Sequence, residues 1–330
     1  MAIDGIAKNQ HYVPQFILRN FSFGKREQVC VFDKSICKKF STNVRNVASE
    51  NGFYNFKLDD EMHSLEPHLG EIEDLSAVII NKIVKNASLE NLSLEDKKTL
   101  SYFMAIQFVR TKDYREHFKD GATKLREALK SRGLTDEILD HSGICELSDE
   151  EVKECSLEAI KNAESLIPYF YNKDWTIQKA SSDVKFYISD HPVSMKNFHP
   201  NTEFMNNVGL AVEGIEVYFP ISKNFTLGMY CPTLLQSFKK ELLIAKANFA
   251  LSYDVDSSII EAINHMEELV VSFETGSPLL LGNENVIHLN SLQVMNGNRF
   301  VYSCNDSFEL VERMLTTCDS FQTGRRSSIR

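Results

Sequence analysis

The feature that most constrains the fold is a long stretch of helical periodicity between two stretches that read as strands. From Ser64 to about Tyr171, apolar residues recur at spacings of three and four, the pattern of helices that bury one face. Ser93 and Ser148 are each followed three residues later by an acid, which resembles the capping box at a helix start. The pattern predicts a largely helical middle region with sheet-forming parts on either side.

The two flanking parts carry the strand signals. Residues 28–33 alternate between apolar and polar, and residues 37–42 follow as their predicted hairpin partner. Further along the chain, aromatic and β-branched runs predict strands at 184–188, 215–219 and 225–230, and periodicity predicts helices at 234–271, 285–302 and 308–316.

No internal repeat or low-complexity linker divides the chain. We therefore expect a single α+β domain over residues 1–318, with mixed or antiparallel sheet elements at the N-terminal and C-terminal parts. The largely helical region at about 64–171 is then an insertion within that domain. Residues 319–330 are polar and basic, and they are predicted to form a disordered tail.

The composition argues against a disordered, a membrane-spanning and a disulfide-rich protein. The 43% of hydrophobic residues is ample for a core and excludes bulk disorder. No apolar run approaches the roughly 20 residues that span a bilayer, and the N-terminus lacks a secretory signal. The seven cysteines include no C-x-x-C pair, which favours reduced thiols over disulfides or a zinc knuckle. We expect a soluble, cytoplasmic protein with no membrane association.

The net charge of −10 is unevenly placed along the chain. Residues 136–164 contain ten acids against two lysines, whereas residues 1–57 contain nine Lys and Arg against four acids. A protein that coats nucleic acid through phosphate contacts would not be acidic over most of its surface. The N-terminal segment can still present a local basic face, although ordinary solvated helices and surface lysines explain the same counts.

His11 is the first candidate for chemistry, in the segment N-Q-H-Y-V-P-Q at 9–15. Val13 precedes a proline and is therefore extended, and Pro14 suits the first turn of a helix. Backbone N–H groups at a helix start favour an anion and lower the pKa of a nearby imidazole, which suits a general base or a phosphate contact. Alternatively, His11 only bonds a neighbouring carbonyl and fixes the N-terminus.

Gln107 and Arg110 are three residues apart in Q-F-V-R-T, so they share one face of a predicted helix. A buried arginine there needs an acid or an anionic ligand, and an internal carboxylate would satisfy it without any chemistry. Glu66 and Glu73 lie seven residues apart on one face of the first long helix. They are candidate metal ligands or partners for Arg110, unless that face is simply solvated.

Asp190 ends a predicted strand in I-S-D-H-P, beside His191. Strand ends often aim catalytic carboxylates into a cleft, but an Asx-turn before Pro192 is an equal alternative. A weaker pattern is Asp174 followed by D-x-K at 183–185, which imitates the core of a metal-dependent nuclease. The identity of any cofactor is left open by the sequence, and a divalent metal is considered on this pattern.

Several of these segments together resemble a known family. H-Y-V-P-Q-F-I-L-R-N-F-S, V-C-V-F-D-K, Q-F-V-R-T, I-S-D-H-P-V, Y-F-P-I-S and N-S-L-Q…R-F-V-Y-S follow one another as in the bacterial family known as domain of unknown function 4238. The resemblance covers about residues 9–303. It departs from the family's pattern where this chain reads I-S-D instead of T-S-D.

The resemblance implies a biological setting more than a reaction. Members of the family are similar to genes of phage-defence regions, so an antiviral effector that arrests growth is the expected function. The polar positions of the shared motifs are His11, Gln15, Glu73, Gln107, Arg110 and Asp190.

The leading hypothesis is a hydrolytic site that acts on a phosphodiester or a nucleotide. His11 would act as general acid or base, and Arg110 with Gln107 would hold the anionic group. Asp190 would orient His11 or bind a metal, and Glu73 would support Arg110. Two alternatives remain open. The cluster could be the recognition pocket of a non-catalytic sensor for a phage protein or a small anion, or a polar network that only locks the N-terminal arm in place.

Overall fold

The computed structural model describes residues 7–180, 182–197, 209–251 and 257–324. It confirms the predicted α+β class, with antiparallel sheets formed by the N-terminal and C-terminal parts and a helical middle. Among the described residues, no helix combines the length and the apolar character that crossing a bilayer requires.

The N-terminal part consists of short strands around one helical turn. Strand β1 pairs antiparallel with β4, and β2 with β3 forms the predicted hairpin. Strands β5 and β6 form a separate two-stranded sheet. The bounds are β1 Asn9–His11, α1 Gln15–Arg19, β2 Gln28–Asp33, β3 Lys38–Asn43, β4 Ser49–Asn51, β5 Asn55–Leu58 and β6 Glu61–Ser64.

The middle of the chain is helical, as predicted. Both predicted capping boxes are present, because Ser93 and Ser148 each exchange hydrogen bonds with the acid three residues later. The helices are α2 Glu66–Asn86, α3 Leu94–Val109, α4 Lys112–Ser131, α5 Asp136–His141, α6 Asp149–Lys161 and α7 Ile167–Tyr171.

A five-stranded sheet begins where the helices end. Its strand order is β12-β7-β11-β10-β9, antiparallel except where β12 joins β7. The strands are β7 Asp174–Lys179, β9 Ser194–Asn197, β10 Ile215–Ser222, β11 Phe225–Tyr230 and β12 Leu279–Leu280. Two helices, α8 Pro232–Leu251 and α9 Ser257–Thr275, occupy most of the stretch from 234 to 271 that is predicted to be helical.

The second large sheet joins the two ends of the chain. Its order is β3-β2-β13-β8, where β8 is Ile188–Ser189 and β13 is Phe300–Ser303. The prediction of a helix over 285–302 is therefore wrong at its end: α10 covers Asn283–Asn296, and β13 pairs with β2. The predicted strand at 184–188 is also too long, because only its last residue belongs to β8.

The C-terminal residues are more ordered than predicted. Helix α11 covers Glu309–Thr317, and Asp319–Gln322 form a 3-10 helix within the stretch predicted as a disordered tail. The backbone carbonyl of Phe321 accepts a hydrogen bond from the buried Lys34 side chain at 2.8 Å. The predicted tail thus begins too early at residue 319, and residues 325–330 lie outside the described residues.

Helix α3 runs through the middle of the core. One hydrophobic cluster includes residues from the N-terminal arm, from the helices and from both large sheets. Phe103 and Ile106 of α3 are 1% exposed within it. Because the second half of α3, from Leu100 onwards, is almost completely buried, the polar residues Gln107 and Arg110 at this end are buried as well.

Candidate functional site

Arg110 lies at the C-terminal end of α3 with only 1% of its surface exposed. Its Nη1 donates to Glu73 Oε1 at 2.6 Å, and its Nε and Nη2 donate to Gln107 Oε1 at 2.9 and 2.7 Å. Three of the five guanidinium N–H groups are bound in this way. Glu73 comes from α2, and its side chain is 25% exposed. In this ion pair the arginine is therefore buried, whereas the glutamate lies near solvent.

Gln107 connects this ion pair to the N-terminal arm. Its Nε2 donates to the backbone carbonyl of Tyr12 at 2.9 Å, while its Oε1 serves Arg110. A second amide, Gln10, accepts from the backbone N–H of Tyr54 at 2.7 Å. The Tyr54 hydroxyl donates to the backbone carbonyl of His11 at 3.0 Å. The arm around Gln10 and Tyr12 is therefore held to α3 through Gln107 and to the turn between β4 and β5 through Tyr54, and the backbone of His11 is fixed in position.

The His11 ring is held less completely than its backbone. Its Nδ1 lies 3.5 Å from Gln15 Nε2, and Arg19 Nη2 donates to Gln15 Oε1 at 3.2 Å. Because the arginine requires the amide oxygen, Gln15 presents its N–H to the imidazole, and Nδ1 is the acceptor. The proton of the neutral ring then sits on Nε2. That atom is buried and forms no hydrogen bond of normal geometry within the described residues.

The pKa of His11 is lowered from its ordinary value near 6.5, mainly because burial disfavours the charged ring. The backbones of Val44 and Arg45 lie close enough to the ring to oppose this shift, although neither forms a hydrogen bond of normal geometry with Nε2. The positive charges of Arg110 and Arg19 add to the shift. The direction is the one that the sequence predicted, but burial is the main cause and the helix start is not. At neutral pH, His11 is an uncharged N–H donor near two arginines, each of which is paired with a glutamate.

Glu66 is the second unusual group of this cluster. Burial and the neighbouring charge of Glu73 raise its pKa to about 7, although the charge of Arg110 opposes the shift. The carboxyl group therefore changes its protonation state near neutral pH. The charges of Glu66, Glu73 and Arg110 all act on the Tyr54 hydroxyl, and the charge of Arg110 acts on both His11 and Glu66. We call His11, Glu66, Glu73, Gln107 and Arg110 the arm cluster.

Asp190 does not contact the arm cluster. Its carboxylate accepts three backbone N–H groups, from Asn298 at 2.7 Å, Arg299 at 2.8 Å and Phe300 at 2.9 Å. Gly297 permits this approach, because a Cβ there would lie 2.8 Å from Ser189 Cβ and 3.3 Å from Asp190 Oδ1. The hydrogen bonds join the end of β8 to the start of β13. The carboxylate has a structural partner set in place of the predicted contact with His11.

The neighbours of Asp190 are also satisfied. His191 Nδ1 lies 2.6 Å from Thr111 Oγ1, and burial lowers the pKa of this imidazole to about 4. Gln293 of α10 accepts from the backbone N–H of Ser189 at 3.0 Å and donates to the carbonyl of Pro192 at 2.9 Å. We call Ser189, Asp190, His191 and Gln293 with their partners the strand cluster.

The metal pattern predicted at 174–185 has no matching geometry. Within the described part of the chain, no group of three or more His, Cys, Asp or Glu side chains is placed to hold a metal ion. Asp174 begins β7, while Lys185 lines a surface cleft of about 630 Å³ with Lys179 and Asn224. None of His11, Glu73, Gln107, Arg110 and Asp190 lines this cleft.

The sequence reasoning named four of the five residues of the arm cluster as site residues and considered Glu66 only as a metal ligand or as a partner for Arg110. It missed Gln10 and Tyr54, which fix the backbone around His11. Glu66 shared a helix face with Glu73 in the sequence, and that spacing was the available signal for a carboxylate pair.

A family model described as "Protein of unknown function (DUF4238)" matches residues 9–307. The match covers most of the chain, so the protein belongs to this family. No curated protein matches the chain. No solved structure matches it either.

Proposed function

We propose that this member of the DUF4238 family is a hydrolase that acts on a phosphodiester or a nucleotide through the arm cluster. The observation that carries the proposal is the His11 Nε2–H, a buried donor that no group among the described residues binds with normal hydrogen-bond geometry. Leaving such a donor unpaired costs about 1–3 kcal/mol, so its retention is typical of a group that binds an acceptor from elsewhere. An anionic oxygen of a substrate is such an acceptor.

Charge around His11 favours an anionic substrate. Arg110 and Arg19 both act on the imidazole with positive charge, while each is also paired with a glutamate, Glu73 and Glu27. A neutral imidazole in this surrounding donates a hydrogen bond to a phosphoryl oxygen without adding a further charge that must be desolvated. The Arg110 charge, fixed by Gln107 and Glu73, stabilises negative charge that develops during the reaction.

Glu66 supplies the proton transfer in this proposal. A carboxylate whose pKa is about 7 is a stronger base than an ordinary glutamate, and at neutral pH it is present in both protonation states. The ionised form removes a proton from the attacking water, and the same carboxyl then protonates the leaving oxygen. Glu73, which pairs with Arg110, helps to raise the pKa of Glu66 through its charge.

The biological setting is part of the proposal. The resemblance of the shared motifs to those of phage-defence genes supports an antiviral effector that arrests growth when it is active. A phage protein is then the expected trigger, and nucleic acid or nucleotides are the expected substrates.

The test compares purified wild-type protein with Glu66→Gln and His11→Asn variants. The probes are bis(4-nitrophenyl) phosphate, a mixed single-stranded oligonucleotide and the nucleoside triphosphates. We expect Glu66→Gln to lower the hydrolysis rate roughly a hundredfold. The wild-type rate should rise with pH through about 7, where Glu66 ionises. Glu71→Gln is the matched control, because Glu71 is an exposed glutamate of the same helix and should leave the rate unchanged.

Other results would favour the non-catalytic alternative. In that alternative, the arm cluster recognises an anionic ligand without turnover. Binding of an oligonucleotide or nucleotide that is lost in His11→Asn, with no turnover of any probe, would make the cluster a sensor pocket. Phage plaque counts on cells that express each variant then show whether protection follows binding or hydrolysis.

A further inference from the structure

Helices α8 and α9 form an antiparallel hairpin in which α9 packs on β7 and β12, and α8 packs on α9. Leu242 of α8 joins Ile263 and Val270 of α9 in a small apolar seam of their own. Two salt bridges cross the hairpin, Lys239–Glu274 at 2.7 Å and Lys246–Glu267. All four charged side chains are between 40% and 54% exposed, so the bridges lie on an open face.

The same face carries an exposed apolar pair. Leu243 is 70% exposed and Val271 is 48% exposed. Leu243 lies between Lys239 and Lys246 on one side of α8, and Val271 lies between Glu267 and Glu274 on one side of α9, at spacings of three and four. The two salt bridges fix the antiparallel register of the helices and so bring Leu243 and Val271 level with each other. We call these six residues the hairpin face.

Charge on the hairpin face is divided by helix. Helix α8 contains three lysines and one glutamate, whereas α9 contains four glutamates and no lysine or arginine. The face thus has a positive edge and a negative edge, with apolar side chains in the middle. Such a pattern is complementary to itself, because a two-fold axis can bring the positive edge of one copy onto the negative edge of another.

We propose that the hairpin face binds a second copy of this chain and forms a four-helix bundle around a two-fold axis that runs parallel to the helices. In that arrangement α8 covers α9 of its partner, Lys239 meets the partner's Glu274, and Leu243 contacts the partner's Val271. An axis perpendicular to the helices would instead place lysine on lysine and is disfavoured. The charges remain at the rim, where they fix the register without being fully desolvated.

The area of the hairpin face determines how strongly two copies are expected to associate. A helix of about 20 residues is roughly 30 Å long, and two packed helices are roughly 20 Å wide, so two copies would bury roughly 1,200 Å² in total. That area is the lower limit for a stable dimer. We therefore expect an association that depends on protein concentration.

The experiment measures the molar mass of the full chain by light scattering and sedimentation over a wide range of concentrations. Wild-type protein should pass from monomer to dimer, and Leu243→Glu should weaken the association at least roughly tenfold. Leu94→Glu is the matched control, since Leu94 is 74% exposed on another helix, and it should leave the association unchanged. Circular dichroism and thermal melting confirm that each variant is folded.

A charge exchange tests the specific arrangement. One variant carries Lys239→Glu with Lys246→Glu, and the other carries Glu267→Lys with Glu274→Lys. Each should stay monomeric alone, because its face then has one sign of charge, and a mixture of the two should form a heterodimer. The proposal fails if wild-type protein is a monomer at all concentrations, if Leu243→Glu dimerises normally, or if the mixed charge variants do not associate.

Discussion

The arm cluster and the strand cluster use similar residues but differ in how fully those residues are bonded. They meet at two consecutive residues, since Arg110 ends α3 in the arm cluster and the Thr111 side chain contacts His191 of the strand cluster. In the strand cluster, the Asp190 carboxylate is saturated by three backbone N–H groups. In the arm cluster, His11 retains a buried, unbonded nitrogen within the described structure.

The difference indicates what each cluster contributes. Saturated buried polar groups fix the arrangement of the chain, and their loss lowers stability. A buried group with spare bonding capacity adds little stability and is available for a ligand. Variants that separate stability from activity therefore test this comparison directly.

The largest expected effect belongs to Asp190→Asn. The amide NH2 of asparagine would face backbone N–H donors that now bond to a carboxylate, so at least one buried donor loses its partner. We expect the free energy of unfolding to fall by roughly 3–4 kcal/mol, measured by urea denaturation. Asp183→Asn is the control. Asp183 is exposed, so its replacement should change the free energy of unfolding by less than about 0.5 kcal/mol. A near-neutral Asp190→Asn would show that the strand cluster is not saturated.

The role of Asp190 also shows where sequence reasoning reached its limit. Local spacing correctly predicted both capping boxes, the β2–β3 hairpin and a shared face for Gln107 and Arg110, because those contacts lie within a few residues. The hydrogen bonds of Asp190 join residues more than 100 positions apart, and no local pattern encodes them. For the same reason β13, which pairs with β2 from the other end of the chain, was predicted as helix.

The second prediction concerns His191 and acid. Its pKa is about 4 in the folded chain and near 6.5 when unfolded, so the unfolded chain binds the proton more readily. The neutral His191 contributes roughly 3 kcal/mol to the free energy of unfolding above pH 6.5, and this contribution is lost as the pH falls toward 4. His191→Asn keeps a polar atom near Thr111 and should flatten this part of the stability-versus-pH curve. Curves of equal slope for the two proteins would contradict the assigned burial.

Glu66 in the arm cluster should have a smaller effect on the pH dependence of the free energy of unfolding, with the opposite sign to that of His191. Its pKa rises from about 4.5 in the unfolded chain to about 7 in the folded one, so the folded state favours the protonated form. The contribution of Glu66 to the free energy of unfolding is fully present below pH 4.5 and is lost as the pH rises through 7. Glu66→Gln should therefore stabilise the protein at pH 8, on the order of 1 kcal/mol given partial solvent access, and have no effect at pH 4. Glu71→Gln, at an exposed position of the same helix, is the control for the substitution itself.

The smallest effect on stability is expected from His11→Asn, although it should have a large effect on activity. The ring makes one long contact at 3.5 Å and leaves Nε2 unbonded, so its removal should lower the free energy of unfolding by less than about 1 kcal/mol. Because asparagine cannot reach as far as Nε2, hydrolysis or ligand binding should still be lost. Thermal melting and the phosphodiester assay on the same preparation measure both quantities. A variant that loses several kcal/mol would instead make His11 a structural residue, and the two clusters would then be alike.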